Sequence, residues 1–299
     1  MFLSIVIPTY NRLGHLKLVL RALEKQTDSN FEVVISDDGS TDGTKEFFEK
    51  KNQLYKFEVK YIWNGEHTET YKQCKARNNG VRNASEHSLA YLFLDSDVLL
   101  PEDALAKYAE CYQKNPNRVV VGMYDWGVPM EITEDDILNR YQDIFDEKLP
   151  PIPNASPHGM LGQDPRNEQF MKTTPDELHW ESAMLSCWGG NLFVPKHIFL
   201  DVAKFQKKFN PDANKDDFCG YDEWYTAPTE DGDFGITLIK QCEWPVSLNK
   251  EIRGYHMWHP RNIKEIQDKN IPNVDYLNRK HRLDVYAETE TIQRQEYKI

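Results

Sequence analysis

The apolar run Tyr91-Leu92-Phe93-Leu94 ends directly on Asp95-Ser96-Asp97. Where an extended segment turns, two carboxylates two residues apart can reach a metal ion and the ribose of a nucleotide together. Mg²⁺ and Mn²⁺ are commonly held by one or two carboxylates plus substrate phosphate oxygens. On the plainer reading the same residues cap a helix starting near Pro101-Glu102, since such side chains favour helix starts. A second polar cluster, Asp37-Asp38-Gly39-Ser40-Thr41-Asp42, follows the apolar run Phe31 to Ile35. Aspartates in turns often bond their own backbone. Two of them at the end of a buried strand also suit a nucleoside, with Asp38 accepting from the imide of uracil and Asp37 meeting the ribose.

These clusters need a scaffold that brings them together. Leu3 to Ile7 is a short β-branched run, and Leu16, Val19, Leu20 and Leu23 share one helix face. After Phe31 to Ile35 come a helical stretch from about Thr44 to Lys51, a strand from Phe57 to Trp63, a helix from Thr70 to Ser85 and a strand from Leu89 to Leu94. Strands alternating with helices predict an α/β fold, a Rossmann-like and mostly parallel sheet with helices on both faces. Ligands of such sheets sit beyond the carboxyl ends of the strands. Those ends carry Thr9-Tyr10-Asn11, Asp37-Asp38 and Asp95-Ser96-Asp97. Residues 125 to 181 are irregular, with seven prolines, many acids and one short helix expected near Asp135 to Phe145. Segments of this kind are commonly lids or binding loops. The apolar pattern resumes at Met184, and residues 262 to 299 form a charged segment expected to be helical in part.

The 299 residues carry a formal charge of −12, which makes nucleic acid and anionic lipid poor partners. A nucleotide can still bind where a divalent ion held by carboxylates supplies local positive charge. The N-terminus has no basic leader, its apolar run stops at Pro8, and no long apolar stretch follows. A cytoplasmic protein is therefore expected, touching a membrane surface at most. Five cysteines at scattered positions suggest reduced thiols rather than a disulfide framework or a zinc cluster.

Taken jointly, Ile5-Val6-Ile7-Pro8-Thr9-Tyr10-Asn11-Arg12, Gln26-Thr27, Phe31 through Thr44, Ala76-Arg77-Asn78-Asn79-Gly80 and Leu94-Asp95-Ser96-Asp97 resemble the opening of family-two glycosyltransferases with the GT-A fold. The resemblance covers residues 1 to 125 closely. It implies nucleotide recognition by Pro8, Thr9, Tyr10, Arg12, Asp38 and Arg77, with Asp95 at the ribose; Asp37 and Ser96 are further candidates for the nucleotide. It also implies Asp97 as the main metal ligand, assisted by Asp95. Cys187-Trp188-Gly189-Gly190-Asn191 is similar to the segment lining the sugar pocket in the chondroitin-polymerase and galactosyltransferase-like branch. Paired glycines let backbone approach a ligand closely, although an isolated pair is more often a simple turn.

Tyr221-Asp222-Glu223-Trp224 and Thr229-Glu230-Asp231-Gly232 resemble the acidic motif of that branch, which opens a helix bearing the catalytic base. An acid at a helix start is favoured by the dipole and can stay ionised. Asp231 is the expected base and Glu230 the second candidate. Asp222, Glu223 and Trp224 are expected at the sugar or acceptor. The branch usually has tryptophan and glycines before the acidic pair, where this chain has Thr226-Ala227-Pro228-Thr229. In Gly254-Tyr255-His256-Met257-Trp258-His259, the resemblance implies a histidine ligand to the metal, and neutral imidazole suits Mn²⁺ beside carboxylates. His256 is the preferred ligand, and His259 either binds phosphate or substitutes for it.

These residues lead to one expectation, an inverting, metal-dependent transferase moving a sugar of galactose, N-acetylgalactosamine or glucose type from a UDP-sugar to a hydroxyl of a glycan or other acceptor. A retaining transferase of the same fold, and a carbohydrate-binding protein with a degenerate fold, are the alternatives. An NAD-dependent enzyme is disfavoured, because no Gly-x-Gly-x-x-Gly follows the first strand. The expected division is a nucleotide-sugar half over 1–125, an acceptor and catalytic half over 126–261, and the charged segment over 262–299.

Overall fold

A computed structural model describes residues 1–50, 55–67, 73–155, 187–209, 220–223, 225, 229–260, 273 and 276–282. The chain begins with β1 (Leu3–Thr9), α1 (Leu13–Leu23), β2 (Phe31–Asp37), α2 (Thr44–Glu49), β3 (Glu58–Trp63), α3 (Gln73–Arg82) and β4 (Ala90–Leu94). All seven residues of β1 and of β2 are buried, as expected of strands covered on both faces. Helix α1 buries Leu16, Val19, Leu20 and Leu23 along one stripe against them.

The second part contains β5 (Val98–Leu99), α4 (Ala104–Lys114), β6 (Val119–Asp125), α5 (Glu134–Asn139), α6 (Tyr141–Phe145), β7 (Asn191–Pro195), α7 (Lys196–Phe209), α8 (Glu230–Ile236) and β8 (Val246–His256). The single helix expected near 135 to 145 is two helices, separated at Arg140, whose φ of −133° leaves the helical region. A reciprocal capping box between Thr133 and Asp136 starts the first of them. Asp95-Ser96-Asp97 does not cap α4, because β5 intervenes and the N-cap is Asp103.

One sheet carries both parts, in the order β3-β2-β1-β4-β7-β6-β8-β5. Strands β3, β2, β1 and β4 are mutually parallel, as are β6 and β8, while β7 and β5 run against their neighbours. The sheet is thus mixed rather than uniformly parallel. The parallel set brings the carboxyl ends of β1, β2 and β4 to one edge. Among the described residues no helix is long and apolar enough to cross a membrane.

Candidate functional site

The loops after β1 and β2 are knitted into one surface. The Asp38 amide donates to the Thr9 carbonyl at 2.9 Å, and the Asn11 amide donates to Ser40 Oγ at 2.9 Å. Asn11 takes a φ of +50°, a left-handed conformation that asparagine tolerates, and its Oδ1 accepts from the Thr41 amide at 2.7 Å. Pro8 and Thr9 close β1 beneath this surface, Thr9 being buried. Tyr10 is 40% exposed, and its ring stacks on His67 with centroids 3.9 Å apart. His67 Nδ1 lies 3.0 Å from Asp38 Oδ2. Tyr10, Asp38 and His67 therefore form a small aromatic and acidic face of the kind that holds a flat base.

Asp37 departs from its expected place at a ribose. It has no exposed surface: its Oδ1 accepts from the Ser40 amide at 2.8 Å and from Ser40 Oγ at 2.7 Å, while Oδ2 accepts from Tyr61 Oη at 2.6 Å. Asp37 shapes the loop, while Asp38, also largely buried, turns its carboxylate toward His67.

Antiparallel pairing of β5 with β8 sets Val98 opposite His256, and the Met257 amide donates to the Asp97 carbonyl at 2.8 Å. Asp97 Oδ1 consequently lies 3.5 Å from His256 Nε2, and Oδ2 lies 3.3 Å from His259 Nε2. The three ligand atoms fall within 4.8 Å of one another, and all three residues are buried. His256 Nδ1 is 2.9 Å from the Met257 carbonyl. Donation there leaves the Nε2 lone pair facing Asp97, the usual way a ligating imidazole is oriented. One carboxylate and two imidazoles suit Mn²⁺ or another divalent ion, so the residues fit the implied metal. Both histidines join this cluster, whereas the sequence left a choice between them. Burial alone would raise the Asp97 pKa, but His256 and His259 in their protonated forms hold it below the ordinary carboxylate range. Arg12 reaches the same place, with Nη2 2.9 Å from His259 Nδ1 and Nε 3.9 Å from Asp97 Oδ2.

Asp95 is not in that cluster. Its Oδ1 lies 3.4 Å from Arg77 Nη2, and Gln73 Nε2 donates to the same atom at 3.4 Å. The neighbouring Ser96 is buried at the bend between β4 and β5. Arg77, expected at the nucleotide, is buried among carboxylates. Its side chain is 1% exposed, and Nη1 donates to Glu230 Oε1 at 3.0 Å and to Asp231 Oδ1 at 3.3 Å. The guanidinium ties Asp95, in the first part of the chain, to the acids of α8.

Gly189 is where this tie needs a glycine, since a Cβ there would fall 2.5 Å from Arg77 Cζ. A Cβ on Gly190 would fall 2.8 Å from Asp95 Oδ2. The pair thus clears space for an arginine and a carboxylate of the chain itself. Trp188 is half-buried in an aromatic group, its ring 6.0 Å from Tyr124 and 5.9 Å from Trp126, with Tyr124 5.8 Å from His256. The sequence reading missed Tyr124, Trp126 and His67. The first two follow the apolar run of β6 to the carboxyl edge, the signal that exposed the other clusters. His67 lies in a loop without such a run.

The two neighbouring acids of α8 differ. The Glu230 side chain is 2% exposed and locked, with Oε1 on Arg77 and Oε2 accepting from the Thr229 amide at 3.0 Å. The Asp231 side chain is 24% exposed. Burial, assisted by the Glu230 and Asp95 carboxylates, pushes the Asp231 pKa up to about 7 against the pull of Arg77.

Three other expected pocket residues lie elsewhere. Asn191 has no exposed surface, accepting from Tyr108 Oη at 2.7 Å and donating to the Met123 carbonyl at 3.0 Å. Asp222 is buried against Lys280 at 2.7 Å and Tyr276 Oη at 2.8 Å. Glu223 is turned toward α3, accepting from Asn78 Nδ2 at 2.9 Å. Trp224 lies outside the described residues.

Comparison with known proteins identifies the family and the fold. The chain is 32% identical over 287 residues to validoxylamine A glucosyltransferase of Streptomyces hygroscopicus subsp. jinggangensis, covering 93% of this chain and 61% of that one. It is 30% identical over 228 residues to the chondroitin synthase of Pasteurella multocida, covering 73% and 22%. This chain spans about three fifths of the length of the validoxylamine enzymes it matches. Among solved structures, S. aureus TarS 1-349 superposes with a TM-score of 0.56 at 18% identity, covering 100% of this chain and 76% of that one. Its complex with UDP-GlcNAc gives 0.52 at 18%, covering 88% and 60%. The shared architecture is of GT-A type. With the model of glycosyl transferase family 2 matching residues 4–163, which take in the loops after β1, β2 and β4, the chain belongs to that family.

Proposed function

We propose that this chain is an inverting glycosyltransferase that takes a UDP-sugar donor and transfers the sugar to a hydroxyl of a glycan or other acceptor. The observation that carries the inverting reading is the contrast between two adjacent acids. Both acids meet Arg77, but Glu230 is enclosed between it and the Thr229 amide, whereas Asp231 keeps exposed surface and a pKa near neutrality. A general base works best with its pKa near the operating pH.

Tyr10 would stack on the uracil, with Asp38 accepting from its imide. The complex of TarS with UDP-GlcNAc supports a UDP donor. Asp97, His256 and His259 would hold Mn²⁺ or Mg²⁺, which as a bound Lewis acid supplies stabilisation of negative charge on the diphosphate. Arg12, beside that cluster, adds fixed positive charge. Asp231 accepts the proton of the acceptor hydroxyl as its oxygen bonds to the anomeric carbon. The bond from that carbon to the diphosphate oxygen breaks, and UDP leaves with the electron pair. One displacement inverts the configuration. Trp188, with Tyr124 and Trp126, would border the transferred sugar.

The test is a panel of UDP-glucose, UDP-galactose, UDP-GlcNAc, UDP-GalNAc and GDP-mannose, read as nucleotide release with Mn²⁺, followed by proton NMR of the anomeric product. Release from a UDP-sugar and an inverted anomer are expected. A retained anomer would reject the single displacement, and no release from any donor would favour a binding protein.

A further inference from the structure

Helix α8 is poorly equipped to hold itself in place. Its α-helical part has seven residues, two of them glycine, and is continued only by the π-helical stretch Thr237–Gln241, and its N-cap Thr229 makes no side-chain capping bond. A helix this short is marginal alone, and each glycine weakens it further. Arg77 holds its first two residues from one side. The other side is held by residues near the end of the chain.

Asp233 is 1% exposed, and its carboxylate accepts from Gln206 Nε2 at 2.7 Å, Tyr225 Oη at 3.1 Å and Lys280 Nζ at 3.0 Å, with His281 Nε2 at 2.8 Å. Lys280 Nζ also donates to Gln206 Oε1 at 2.5 Å and to Asp222 Oδ2 at 2.7 Å. The ammonium thus spends its three protons on three elements: α7, the 220–223 segment and α8. Removing one partner from such a buried set leaves uncompensated charge, which costs far more than a surface pair does. Asp231 and Asp233 are two residues apart, so they point in different directions from one turn. The tie behind the helix therefore sets where Asp231 stands in front of it.

We propose that Lys280 is a positioning residue for sugar transfer, tethering α8 from behind and so fixing Asp231 at the cleft. This rests on the reading of Asp231 as the base. Both claims are tested with Lys280→Met, which keeps the length of the stem and removes the charge. The double variant Lys280→Met/Asp222→Asn also removes one stranded carboxylate and keeps the test open if the single variant folds poorly.

Two readouts are taken on the full chain. Hydrogen exchange should show loss of protection at residues 230–236 with none in β1 and β2. Turnover of UDP-glucose or UDP-GlcNAc, whichever the wild type uses, should fall about 10–100-fold in kcat with donor KM within about twofold, as expected when a catalytic group is misplaced. Unchanged protection of 230–236, or wild-type kcat in either folded variant, would overturn the tether. If Asp231→Asn turns over normally while the Lys280 variants are deprotected and slow, the base assignment fails and the tether stands.

Discussion

At the scale of single residues, acids that look alike in the sequence have different surroundings in the fold. Asp37 and Asp38 are adjacent, yet three donors enclose Asp37 while Asp38 stays beside Tyr10 and His67. Asp38→Ala should weaken UDP binding by about 1–3 kcal/mol in calorimetry and leave pyrophosphate binding unchanged. Equal losses for both would move Asp38 away from the base. Asp97→Ala removes the one carboxylate of the Asp97-His256-His259 cluster, so the Mn²⁺-dependent part of UDP affinity should vanish. Unchanged Mn²⁺ dependence would contradict the metal assignment. Asp97, His256, Asp38 and Asp231 were readable as candidates in the sequence because each sits at a strand end or at a helix start. Asp37, Asn191, Asp222 and Glu223 passed the same test of type and place. Which way each side chain turns was decided by partners distant in sequence, Tyr61, Tyr108, Lys280 and Asn78, and spacing cannot show those.

Among the elements, β7 and α8 matter most. The segment before β7 carries Gly189, whose missing side chain makes room for Arg77. Gly189→Ala should therefore cost about 1–3 kcal/mol by overpacking, and it should lower turnover as well, because the arginine it displaces holds Asp231. Loss of stability without loss of turnover would mean that Arg77 does not position the base. The rear of α8 makes an acid-sensitive contact. Burial alone would raise Asp233, but Lys280 and His281 hold it down at about 2, from an ordinary 3.8. A depressed carboxyl stabilises the fold above its unfolded pKa, and that stabilisation is lost as pH falls through the folded value. Wild-type stability should drop by about 2 kcal/mol between pH 4 and pH 2 from this group. Asp233→Asn should be less stable at pH 7 and show a shallower acid dependence in urea titrations. The alternation of β1 to β4 with helices was readable from periodicity. The reversal at β7 was not, since a five-residue apolar strand carries no mark of its direction.

Over the whole molecule, one sheet joins the half that bears Tyr10, Asp38 and Asp97 to the half that bears His256 and Asp231. Strand β4 pairs with β7, β5 pairs with β8, and Arg77 bridges Asp95 to α8. The net charge of −12 argues against polyanionic partners, while Arg12 and a divalent ion would concentrate positive charge at the proposed diphosphate site. The inverting reading depends on Asp231 taking the proton during transfer. Its most direct test is the turnover of Asp231→Asn at saturating UDP-sugar and Mn²⁺, beside Glu230→Gln and the wild type. Asparagine keeps the size of the side chain but cannot accept a proton at neutral pH. The account predicts a fall of about 10²–10⁴-fold in kcat for Asp231→Asn with UDP affinity near wild type, together with loss of the rise in wild-type rate as pH passes about 7. Full turnover by Asp231→Asn would contradict it, naming Glu230 as the base if Glu230→Gln is dead and ending the single-displacement mechanism if both variants stay active.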